Sequence, residues 1–86
     1  MRSLFDRFMA AVHVRMTRAV RQIERMNLGV ENLTATIEGK FITLRGVAPS
    51  REVATRVLEH FRRMVGADNI LNNIKINDPQ LQNHQR

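Results

Sequence analysis

Phe41-Ile42-Thr43-Leu44-Arg45-Gly46-Val47-Ala48-Pro49-Ser50 is where the chain changes from one periodicity to another. Residues 41–45 alternate, with Ile42 and Leu44 on one face and Phe41, Thr43 and Arg45 on the other, the pattern of a half-buried strand. After Ser50 the apolar residues recur at helical spacing. The Ser50 hydroxyl can accept from a free first-turn N–H, so it reads as a helix N-cap. Gly46 continues the inward parity of Ile42 and Leu44. A glycine there predicts either close approach by a helix or a bend at the strand end.

Downstream, the spacing predicts a helix over 51–65. Val53, Ala54, Val57, Leu58, Phe61, Met64 and Val65 form its apolar side, Arg56, His60, Arg62 and Arg63 lie off it, and Gly66 provides the stop. Ile70 to Ile76 then reads as a strand placing Ile70, Asn72, Ile74 and Ile76 together. Upstream, Leu33-Thr34-Ala35-Thr36-Ile37 alternates, and Glu38-Gly39-Lys40 supplies the turn of an antiparallel hairpin with the central strand. Leu28 to Asn32 reads as a short connection.

The segment from Ser3 to about Met26 carries Phe5, Phe8, Met9, Val12, Met16, Ala19, Val20, Ile23 and Met26 within one arc of a helical wheel. Arg7, Arg18, Arg21 and Arg25 stand opposite, with Arg15 on the flank. Ser3 can cap this helix, and Asn27 or Gly29 can end it in a left-handed conformation. About 24 helical residues span about 36 Å, more than a small three-stranded sheet covers. The first turns, with Leu4, Phe5, Phe8 and Met9, are therefore expected to project as an exposed apolar end.

The predicted fold is α+β: a two-layer α/β sandwich in the order α-β-β-α-β, with a three-stranded mixed sheet and both helices on one face. The strand after the second helix is expected to run parallel to the central strand through a right-handed crossover. Residues 1–27 (the long amphipathic helix) and 28–77 form one domain, and the polar, aperiodic residues 78–86 are expected to be disordered. The uncovered sheet face presents Thr34, Thr36, Phe41, Thr43, Arg45 and Lys75, with Leu71 beside them.

The chain has 86 residues, no Cys, no Trp and no Tyr. One small domain with an aliphatic, Met-rich core follows, and disulfides and thiolate metal sites are excluded. Net charge is +6, and all but Lys40 and Lys75 of the basic residues are Arg. Arg pairs bidentately with phosphate and carboxylate, so anionic partners are favoured. No uninterrupted apolar run has the length of a signal peptide or a membrane span. The expected location is cytoplasmic or peripheral to the inner membrane, or the envelope if the chain is a fragment of an exported one.

From Leu28 to Ile76 the chain resembles a BON domain, the small module of bacterial envelope proteins. The resemblance rests on Ile42-Thr43-Leu44-Arg45-Gly46-Val47, on Ser50, and on a second helix ending at Gly66. It also rests on Ile70-Leu71-Asn72-Asn73-Ile74-Lys75-Ile76, with Asn72 in the Asn place of a Val-x-Asn-x-Ile/Leu-x-Val pattern. These are structural positions, covering about half the chain, and the turn at Glu38-Gly39-Lys40 is about one residue longer than usual. The resemblance implies the α-β-β-α-β order and phospholipid binding, or ring assembly as in related domains of secretion machines.

His13, His60 and His84 have no partner at metal-binding spacing except the adjacent Glu59-His60, which point to different helix sides. No nucleophile motif or phosphate loop is present. The expectation is a non-enzymatic binding module without cofactor or metal. Its expected partner is an anionic phospholipid surface, met by Phe5, Arg7, Phe8, Arg15, Arg18, Arg21 and Arg25, or a protein. A homo-oligomeric ring or scaffold component is the alternative, through Phe41, Thr43, Arg45 and Lys75. A KH-like RNA-binding domain is the weaker one, because the Met64–Asp68 region has one Gly where KH domains place Gly-x-x-Gly between two helices.

Overall fold

The computed structural model describes the backbone of residues 4–77 and the side chains of residues 7–77. The Ser3 cap, the side chains of Leu4 and Phe5, His84 and the tail at 78–86 lie outside the described residues. The element order is α1 (Leu4–Arg25), β1 (Glu31–Glu38), β2 (Phe41–Ala48), α2 (Arg51–Val65) and β3 (Ile70–Ile76). β2 is the central strand, antiparallel to β1 and parallel to β3. This is the α+β sandwich with a three-stranded mixed sheet anticipated from periodicity.

The junction at Ser50 forms as read. Ser50 is extended, and its Oγ accepts from the Val53 N–H at 3.2 Å. α2 stops where Gly66 takes φ 74 and its N–H reaches the Arg62 carbonyl, a geometry that a Cβ would penalise. At the end of α1 it is Asn27 that first turns left-handed, at φ 55, and Gly29 follows at φ 82.

The core joins Met16, Ala19 and Ile23 of α1 to Val57, Phe61 and Val65 of α2, over Leu33, Ile42 and Leu44 of the sheet. Gly29 approaches Pro49 at one end of the helical layer, whereas Met9 and Val12 share a groove with Ala67 at the other. The two helices therefore run antiparallel.

Three details depart from the sequence reading. β1 begins at Glu31, not Leu33, and takes in the last two residues of the connection expected at 28–32. A register shift between Glu31 and Thr34, with Asn32 at φ 55, marks a bulge that lets those residues stay paired. β2 runs on to Ala48, so Gly46 lies inside a strand, opposite Ile74. The crowding at Gly46 comes from neither a helix nor a bend. A Cβ there would stand 3.2 Å from the Glu31 carbonyl oxygen and 3.3 Å from Leu33 Cα, both in the bulged strand. Third, Asn72 shares the parity of Ile70 and Ile74 yet is exposed. β3 is an edge strand, and Asn72 Oδ1 accepts from the Ile74 N–H at 3.1 Å, a local bond that satisfies a backbone donor at the edge.

Candidate functional site

α1 has 22 residues and is about 33 Å long, while an eight-residue strand spans about 27 Å. Among its described side chains, the deeply buried ones lie from Met16 onward. The N-terminal turns extend over the Gly39–Lys40 turn, and there Phe8 is 63% exposed. The apolar end expected of this helix is present at Phe8; Met9, by contrast, is half-buried.

Tertiary structure joins this end to a residue 33 positions away. Phe8, Met9 and Val12 form one wall of a groove of about 320 Å³; Ile37, Phe41 and Ile42 form the other, and Ala67 lies at the α2–β3 loop. Phe41, 45% exposed, stands with Phe8 at the mouth. The backbone around it is tied down twice: the Ile42 N–H donates to the Asn69 carbonyl at 3.0 Å, and Asn69 Nδ2 donates to the Lys40 carbonyl. Among the described residues lining the groove, Lys40 is the one that carries a charge.

Arg7, Arg15, Arg18, Arg21 and Arg25 are all exposed. Of these, Arg18, Arg21 and Arg25 gather with Gln22 around a shallow cleft at Met64 of α2. Arg7 lies about 16 Å along the helix from Arg18, at the Phe8 end. Among the described residues the single ion pair is Glu38–Arg45, so none of these five guanidiniums pairs with a described carboxylate. No helix among the described residues is long and apolar enough to cross a membrane.

The uncovered sheet face corrects the reading of two candidate residues. Thr43 is 1% exposed despite facing away from the helices. Arg45 is not a free cation: its Nη1 donates to Glu38 Oε2 at 2.8 Å and to Thr36 Oγ1 at 3.2 Å. Thr36 also donates to Glu38 Oε2, and Thr43 Oγ1 donates to Glu38 Oε1, both at 3.1 Å. Glu38 thus gathers three side chains across β1 and β2 and closes over Thr43. Lys75 is exposed on this face, and Leu71, the register partner of Thr43, is 45% exposed.

Glu38 was not singled out from the sequence, although strand parity places it with Thr36 and diagonal to Thr43, within reach of long side chains. Hydrogen bonds from Arg45 first, then Thr43 and Thr36, hold its carboxyl below the ordinary carboxylate range. The same contact raises Arg45. A carboxylate with a depressed folded pKa stabilises the fold above its unfolded pKa, and that contribution disappears as pH falls through the folded value. Thermal melts of the wild type and Glu38→Gln should therefore differ near neutral pH and converge in acid. A constant difference across that range would count against the network.

His60 Nε2 is buried with no hydrogen-bond partner, a cost of about 1–3 kcal/mol. No group of three or more His, Asp or Glu able to hold a metal occurs among the described residues. Comparison with protein-family models, curated proteins and solved structures found no match to this chain.

Proposed function

We propose that this chain is a non-enzymatic, BON-like binding module that attaches to an anionic membrane surface. The observation that carries this reading is that exposed Phe8 of α1 and Phe41 of β2 line one groove, beside a helix whose Arg residues pair with no carboxylate among the described residues. Arg7, Arg15, Arg18, Arg21 and Arg25 supply attraction to lipid phosphates. Phe8 and Phe41 then bury ring area at the headgroup boundary, in the manner of an interfacial amphipathic helix.

Flotation with vesicles of phosphatidylglycerol and phosphatidylcholine, against phosphatidylcholine alone, tests it. Binding is expected only to the anionic vesicles and should weaken with added salt. Absence of binding at low salt would overturn the reading.

A second reading has an observation of its own. Phe41 and Leu71 are exposed on the sheet face that no helix covers, and a second copy could bury them. Sedimentation equilibrium separates the two: self-association that Leu71→Lys abolishes favours assembly, and a monomer at high concentration rejects it. RNA binding has less support, since α2 passes into β3 through Gly66–Asn69 with no second helix.

A further inference from the structure

The groove below Phe8 and Phe41 is more than a rim for surface contact. It is a walled, apolar slot with one cation at its edge, and that chemistry defines a ligand. We infer that it binds a single-chain anionic amphiphile of the fatty-acid class. The chain lies along Met9, Val12, Ile37, Ile42 and Ala67, and the carboxylate meets Lys40.

Three observations point to this occupant. The volume of about 320 Å³ is at the low end of ligand pockets, which suits one slim chain and not a double-chained lipid. Lys40 is exposed and pairs with no carboxylate among the described residues, which leaves its ammonium available to an anionic head. The floor is preformed, because Asn69 hydrogen-bonds both the Lys40 carbonyl and the Ile42 N–H. A rigid slot loses little freedom when it fills, and this favours binding of a small ligand. Gly39, with φ 64 and nothing within 4 Å of a would-be Cβ, leaves the turn side open for entry.

The inference goes beyond membrane attachment, and the two fail separately. The experiment is a calorimetric titration of the whole chain with sodium salts of fatty acids from octanoate to dodecanoate, below their micelle concentrations. ¹H–¹⁵N shift mapping accompanies it. Saturable one-to-one binding is expected, with shifts centred on Gly39, Ile42 and Ala67. Affinity should rise about fourfold per added methylene until the slot is full, then level off. Lys40→Glu, a change at an exposed position, should weaken dodecanoate about tenfold. Ala67→Leu should fill the slot and abolish binding, with circular dichroism confirming a folded chain. Decyltrimethylammonium, of opposite charge, should bind at least tenfold more weakly than decanoate.

Non-saturable uptake overturns the inference. So does equal binding of the cationic amphiphile, or affinity unchanged in both variants. Vesicle binding that persists without dodecanoate binding removes only this inference. Dodecanoate binding without vesicle binding removes only the membrane reading.

Discussion

Replacing Phe8 and Phe41 together by Asp is expected to reduce binding to anionic vesicles by more than a hundredfold while leaving the melting temperature nearly unchanged. Phe8 is 63% exposed and Phe41 45% exposed, so the fold loses little packing when either ring is removed. On a membrane the same rings would leave water. Full burial of such a side chain is worth about 1.5–3 kcal/mol, and two of them account for several powers of ten. The two carboxylates add repulsion from an anionic surface. Arg18→Glu with Arg25→Glu should also weaken binding, but with a loss that salt diminishes, because exposed charges act through a screened field. Vesicle flotation across a salt series distinguishes the two variants. Undiminished binding by the Asp pair would mean that the rings do not enter the interface.

Gly46→Val is expected to destabilise the fold by about 3 kcal/mol, the upper part of the range for overpacking a tight site. The cause is specific. The first added carbon already meets the Glu31 carbonyl oxygen at 3.2 Å and Leu33 Cα at 3.3 Å, and both are backbone, which cannot rotate away. Two further methyl groups force β1 outward at the bulge and disturb Leu33, a buried core residue. For a chain of this size the change corresponds to a fall in melting temperature of roughly 15 °C. Denaturant melts of Gly46→Ala and Gly46→Val, compared at constant slope, would check it. A Val variant as stable as the parent would show that β1 can shift freely.

Most of the fold was legible because its signals are local. Ser50 caps α2 through its own hydroxyl, Gly66 ends it through its own φ, and alternation places Ile42 and Leu44 inward without reference to any distant residue. The bulge in β1 was not legible, since only the strand pairing shows that Glu31 stands opposite Val47 and that the register shifts before Thr34. Thr43 read as exposed because parity reports which side a residue faces and nothing about what its neighbours do there. Glu38 and Arg45 reach across two strands to cover it.

The candidate site divides in the same way. The Arg face of α1 and the surplus length of that helix could be read directly, because both follow from helical geometry within one segment. The groove could not, since it depends on the angle at which α1 passes over the Gly39–Lys40 turn and on the loop at Ala67 and Asn69.

By itself, then, the sequence determined the α-β-β-α-β order, the junction at Ser50, the inward set of each strand and an Arg-faced helix longer than its sheet. Periodicity and capping are short-range properties, carried by residues a few positions apart. Only the tertiary structure decided that Phe8 and Phe41 line one groove, that Lys40 is the one charged residue among the described residues lining it, and that Gly46 is required by a bulged neighbour and not by a helix. Each of these is a relation between elements, set by how the layers pack, and no local pattern in residues 41–50 or elsewhere encodes it.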